Sequence, residues 1–143
     1  MGIALGHVEM DRQHRTLIDG IAFIASSVRR RDRDIIEWKR LLEEIEAHFV
    51  WEEGEMERVG FPDLEVHRED HLRQAANLRE HLGNIEDGCL LDRDTFDAIA
   101  VWNVRHINSK DREFVEFVSD PEVWQMRREL REWEDELFLL DVG

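Results

Sequence analysis

Apolar residues recur along this chain in steps of three and four, the period that keeps side chains on one face of an α-helix. The first such stripe is Met10, His14, Leu17, Ile21, Ile24 and Val28. Asp11 is a suitable N-cap for it, so the spacing predicts a helix from Asp11 to about Arg30. The second stripe is Trp38, Leu41, Ile45, His48, Glu52 and Met56. It opens with Asp34-Ile-Ile-Glu37, which reads as a capping box, and Gly60, Phe61 and Pro62 close it. A third helix is expected after Pro62-Asp63, running to about Glu86, with Leu64, His67, His71, Ala75, Leu78, Leu82 and Ile85 facing inward. Asp87-Gly88-Cys89 breaks that pattern. A fourth starts near Asp92 or Asp94 and ends before Pro121, with Ile99, Trp102, His106, Phe114 and Val118 on its inner face. No alternating β pattern and no low-complexity segment interrupts these elements. Four helices of about 20 residues with short connections predict an all-α fold, an antiparallel up-down-up-down four-helix bundle.

One element exceeds a minimal bundle. Asp120 can cap and Pro121 suits a first helical position, so an additional C-terminal helix is expected over about 120–140. Its stripe is Val123, Met126, Leu130, Trp133, Leu137 and Leu140. Two readings stand: an extra helix docked on the same domain, or the seam of a homodimer or of a protein partner.

Length and composition narrow the possibilities. At 143 residues the chain is most simply one domain, 1–143, with its bundle over about 8–118. It is long enough to bury about 68–70% of its unfolded surface without disulfides. The lone cysteine, Cys89, excludes an internal disulfide and suits a reducing compartment, so a cytoplasmic location is expected. It lies in an expected loop with no helper residues, and reads as an ordinary thiol. The formal charge of −15 argues against nucleic acid and anionic membranes as partners. The local exception, Arg29-Arg30-Arg31 with Arg33, reads as the solvated cationic end of a helix. No apolar run is long enough to span a membrane. The N-terminus lacks the charged and apolar regions of a signal peptide, and residue 6 is glycine where myristoylation wants Ser or Thr.

The inward stripes also carry chemistry. His14 lies on the first, His48 and Glu52 on the second, His67 and His71 on the third, His106 on the fourth, with Asp111 five residues beyond it. Five imidazoles and two carboxylates aimed into one core are costly unless something pairs them. Residues four apart share a helix face, so His48 with Glu52, and His67 with His71, are each placed to ligate one centre. A carboxylate has two oxygens and can bridge two ions. His106 and Asp111 do not fit this rule: five residues turn about 140° on an ideal α-helix. Either the aspartate reaches sideways or a π-bulge, common at functional sites, re-aims it. A single histidine on such a stripe is ordinarily a satisfied core residue, and His48-x-x-x-Glu52 alone is a common surface pair. The weight lies in all four helices supplying such residues together. His7, ahead of the first helix, is expected to be exposed. His81, about 15 Å along the axis from His71, lies too far away to join.

Other metal sites fit less well. The Glu-x-x-His pairs of ferritin-like di-iron sites occur nowhere in the chain. The zincin motif His-Glu-x-x-His is absent because Arg68 follows His67, and one cysteine cannot supply a structural zinc site.

Taken together, Met10-Asp-Arg-Gln-His14, His48-Phe-x-x-Glu52-Glu53, Phe61-Pro62, His67-x-x-Asp-His71 and Trp102-x-x-x-His106-Ile-x-x-x-Asp111 resemble the hemerythrins, especially their bacterial branch. The resemblance covers roughly residues 8 to 118. It implies two non-haem iron ions bridged by an oxo or hydroxo group, with O2 as a reversibly bound ligand. It further implies that His67, His71 and His106 ligate one iron, that His14 and His48 ligate the other, and that Glu52 and Asp111 bridge them. The iron with two histidines is then left with an open position. Glu53 is less suited as a bridge, because the family uses the first acid of the pair. Leu17, Ile18, Phe49, Trp102, Ile107 and Phe114 are candidates to line an apolar pocket, and Asp11, Gln13 and Asp70 to orient ligand imidazoles, with Asp11 equally readable as a cap alone. The chain departs from the family in its short segment before His14, which leaves that end of the bundle less covered, and in its long last helix. Binding of O2 for storage, delivery or sensing is the leading expectation. An enzyme acting on peroxide or nitric oxide, and a module signalling O2 through the last helix, are the alternatives. No extra acid–base residue stands out for an enzyme.

Overall fold

The computed structural model describes residues 4–26, 31–88 and 93–141. Its helices are α1 (Val8–Ser26), α2 (Arg31–Val59), α3 (Leu64–Glu86), α4 (Arg93–His106), a π-helical turn (Ile107–Asp111), α5 (Arg112–Ser119) and α6 (Pro121–Asp141). There is no strand among the described residues. α4, the π turn and α5 run as one interrupted rod, so α1, α2, α3 and this rod form the all-α bundle and α6 is the additional C-terminal helix. Val28, Cys89, Asp92 and the arginine cluster lie outside the described residues or their described side chains.

The helical stripes find their partners. Leu17, Ile21 and Ile24 of α1 pack with Trp38, Leu41, Ile45 and Phe49 of α2, Leu78 and Ile85 of α3 and Ile99 of α4. Trp38 is buried deeply enough that its indole N–H needs an acceptor, and it donates to the Leu78 carbonyl across the bundle at 3.2 Å. A second cluster closes the other end: Met10, Met56, Phe61, Phe114 and Trp124. Between the two clusters lie the polar residues of the stripes.

The ends of the helices differ from the sequence expectations. α1 begins at Val8 rather than Asp11. Its first turn is capped by His7, whose Nδ1 accepts from the Met10 amide at 3.2 Å, and whose ring meets Trp51 edge-on at 5.7 Å. His7 is therefore half-buried, not exposed. Asp11, one turn in, instead braces the incoming loop: its carboxylate accepts from the amides of Leu5 at 2.8 Å and Gly6 at 3.1 Å. α2 begins at Arg31, ahead of the expected box at Asp34. α2 ends where expected. Gly60 adopts φ 70°, a left-handed turn that favours glycine, and the Phe61 amide reaches back to the Met56 carbonyl at 2.9 Å.

Two further differences lie where α6 meets the rod. Val118, expected inward, is 46% exposed. Phe117 packs instead, against Phe61 and Trp124 at 5.3 Å each, on the side of the rod that α6 covers. α6 docks not by its stripe but by Trp124, one position off it and 2% exposed. That indole fills the end of the bundle ahead of His14, the end expected to be less covered.

Candidate metal centre

Each helix delivers its share of the site for the same local reason: a polar residue occupies a place in the apolar stripe. α1 brings His14, α2 His48 and Glu52, α3 His67 and His71, α4 His106, and the π turn brings Asp111. The π turn resolves the five-residue spacing. One extra residue in the turn swings Asp111 back toward the line of His106, and its carboxylate is fully buried.

All five imidazoles present Nε2 to the two carboxylates. His14 Nε2 is 3.0 Å from Asp111 and 3.6 Å from Glu52. His48 Nε2 is 3.0 Å from Glu52. His67 Nε2 lies 2.6 Å from Glu52 and 2.9 Å from Asp111. His71 Nε2 is 3.3 Å from Glu52, and His106 Nε2 is 3.2 Å from Asp111. The Nε2 atoms of His71 and His106 are 3.2 Å apart, and those of His106 and His67 are 3.1 Å apart. Three imidazole nitrogens crowded on one another cannot all be donors and acceptors in turn. Moreover His14 Nε2, Glu52 Oε2 and Asp111 Oδ2 are buried without any hydrogen bond of acceptable geometry. Buried polar atoms left so cost free energy unless a cation pairs them.

The donor atoms sort into two groups, each within 4.8 Å across: Glu52, His67, His71, His106 and Asp111, and His14, His48, Glu52 and Asp111. Both carboxylates belong to both groups. A three-histidine and a two-histidine set joined by two carboxylates is a donor chemistry suited to a pair of transition-metal ions.

Electrostatics of the protein alone agree. Burial would push His14 and His67 down, but contact with Asp111 and Glu52 more than offsets it and raises each to about 9. Burial would raise Glu52, yet the four imidazoles around it hold it well below the usual carboxylate range. Burial and the neighbouring Glu52 would raise Asp111, but His106, His14 and His67 bring it down to about 2. Both carboxylates are thus held as anions, ready for positive charge.

The outer nitrogens are partly anchored. Gln13 Oε1 lies 2.7 Å from His48 Nδ1, in the role anticipated for it. The other anchor escaped sequence reasoning: Glu53 Oε2 lies 3.2 Å from His71 Nδ1, while Arg68 donates to the same carboxylate at 2.9 Å. The doubled acid Glu52-Glu53 was its signal, since adjacent helical residues point about 100° apart and the second can reach a different helix. Asp70 does not orient an imidazole; it pairs with Arg73. Asp11 braces the loop, as described above. Aromatic faces complete the enclosure: Phe49 stacks on His71 at 3.9 Å and Trp102 on His106 at 4.7 Å. Leu17, Ile107 and Phe114 are buried nearby, and Ile18 is half-buried.

A four-helix bundle holding a buried cluster of five imidazoles and two carboxylates defines a helical protein built to hold metal. The chain matches the family described as "Hemerythrin HHE cation binding domain" over residues 5–118, and it belongs to that family. It is 28% identical over 109 residues to "Bacteriohemerythrin" of Methylococcus capsulatus (strain ATCC 33009 / NCIMB 11132 / Bath), a match covering 71% of this chain and 80% of that protein. No solved structure matches the chain.

Proposed function

We propose that this protein binds O2 reversibly at two non-haem iron ions, for storage, delivery or sensing, and does not turn over a substrate. The observation that carries this reading is the convergence of five Nε2 atoms on two shared, fully buried carboxylates. Membership of the hemerythrin family and likeness to a protein called bacteriohemerythrin support it. His67, His71 and His106 would hold one iron, His14 and His48 the other, and Glu52 and Asp111 would span both. When bound, two iron ions would supply the electrons that O2 binding requires.

The chain's own residues supply the rest. Neutral imidazoles bring no charge, so Glu52 and Asp111 would be the chain's only anionic ligands, set in a low-dielectric interior where their charge acts most strongly. Gln13 and Glu53 hold the Nδ1 sides of His48 and His71, fixing ring orientation and tautomer. Phe49 and Trp102 cover the imidazoles of His71 and His106 and keep water from the reactive atoms. A cleft of about 290 Å³ lined by Gln13, Leu17 and His48, among others, approaches the two-histidine side, where a small apolar gas would enter.

The test is an optical spectrum of anaerobically reduced, iron-loaded protein before and after air, with iron quantified. Two irons per chain and visible bands that appear with O2 and vanish on its removal are expected. Bands that decay irreversibly would favour turnover over carriage, and absence of bound iron would sink the ligand assignment.

A further inference from the structure

The three-histidine side of the centre has a cleft of its own, with a different chemistry from the one beside His48. It measures about 450 Å³ and opens between α3 and the rod, lined by Asp70, Val101, Trp102, Arg105, His106 and Lys110, among others. That volume lies in the range of small-ligand sites. Its apolar wall is Val101, 47% exposed, with the half-buried indole of Trp102. Its polar wall is cationic. The side chains of Arg105 and Lys110 form no ion pair among the described residues. Asp70, the acid of this cleft, is already tied to Arg73. The cleft beside His48 has no such surplus, since its Arg12 is bound to Glu9 and it also carries Glu44. Charge complementarity therefore selects an anion at the larger cleft, although the chain as a whole carries −15. Salt screens carboxylates more than about 8 Å away, so the two nearby cations decide what binds.

The floor of the cleft adds a second requirement. Trp102 lies flat on His106, with 4.7 Å between ring centroids and 11° between their planes. His106 is one of the buried imidazoles of the candidate centre. A single aromatic pair thus joins the cleft to the metal-binding cluster. Electron exchange falls steeply with distance, and a planar ligand against Trp102 would be separated from the cluster by that pair alone.

We propose that this cleft binds a phosphorylated flavin, which serves as electron donor to the metal centre. The proposal rests on the O2-binding reading above. The phosphate pairs with Arg105 and Lys110, and the ring system lies against Val101 and Trp102. The reduced flavin releases two electrons and two protons and becomes the oxidised flavin. The electrons take two ferric ions to two ferrous ions, the form that can give electrons to O2, and the protons pass to solvent at the mouth of the cleft.

Binding is read as quenching of flavin fluorescence when flavin mononucleotide is titrated with the iron-loaded protein. Saturable quenching in the micromolar range is expected, and riboflavin, which lacks the phosphate, should bind roughly tenfold or more weakly. Arg105→Glu with Lys110→Glu should weaken binding of the mononucleotide by a similar factor. Each of these residues precedes a candidate ligand, so Val101→Trp supplies a second variant, which fills the cleft without changing its charge and should also abolish quenching. Anaerobically, the reduced mononucleotide should reduce the ferric centre faster in the unaltered protein than in either variant. Absence of quenching, or quenching that survives in both variants, would overturn the proposal and leave O2 binding untouched. Displacement of the flavin by ATP at equal concentration would overturn it too, because the cleft would then take any aromatic phosphate. Flavin binding in a protein without reversible O2 bands would overturn the donor role together with the reading beneath it.

Discussion

Glu52 is the residue on which burial and charge bear most heavily. It has no exposed surface, and four imidazoles lie close enough to hold it ionised. In the metal-free protein protons on His14 and His67 take the place of the cations. Both are raised to about 9 from an unfolded value near 6.5, so their stabilising contribution is complete below about pH 6.5 and is lost as pH rises through about 9. Urea midpoints of the metal-free protein should therefore fall between pH 6.5 and 9.5, at constant ionic strength. A flat profile would mean that the imidazoles do not carry the protons. Gln13 acts one step removed from the site. Gln13→Leu leaves His48 Nδ1 without its partner, and iron affinity should drop roughly 10- to 100-fold in competition with a chelator. Unchanged affinity would show that ring packing alone orients His48. These residue-level roles follow from donor chemistry, which the sequence displays directly: the seven candidate ligands are the seven that come together. The role of Glu53 was hidden because its partner lies on another helix, at a distance no spacing rule encodes.

Elements decide how those residues meet. The π turn is the clearest case: a regular helix would leave Asp111 about 140° from His106, and one extra residue per turn brings it into the core. Spacing alone demanded some such departure and could not choose between a bulge and a sideways reach. The added helix is the second case. Its stripe predicted α6 correctly, yet the residue that docks it, Trp124, lies off the stripe. Docking is set by the shape of the hole between Phe61, Phe114 and Phe117, not by period. Trp124→Ala should cost about 3–5 kcal/mol by emptying that hole, read as a lower midpoint in denaturant. A loss below about 1 kcal/mol would show that α6 contributes nothing to the bundle end.

At the scale of the whole molecule, the site forms a polar band between two apolar clusters, and folding and metal binding are coupled. Without metal, His14 Nε2, Glu52 Oε2 and Asp111 Oδ2 rely on imidazole protons in contacts of poor hydrogen-bond geometry, a weaker pairing than a cation gives. A ligand that binds only the folded state at a thousand times its Kd adds about 4 kcal/mol, so iron should raise Tm by roughly 10 °C or more. Scanning calorimetry of iron-loaded and stripped protein checks this, and equal Tm values would argue that the centre is not occupied by iron.

The sequence by itself determined the helices, the inward stripes of α1, α2 and α3 and the identity of the candidate ligands. Periodicity is a local property of the chain, and polar residues stand out against an apolar stripe. Tertiary structure alone decided the bulge at Asp111, the His71–Glu53–Arg68 chain, the covering of the bundle end by Trp124 and the exposure of the α6 seam. Each of these depends on which surfaces remain free once neighbouring helices are in place, and that is a property of packing rather than of period.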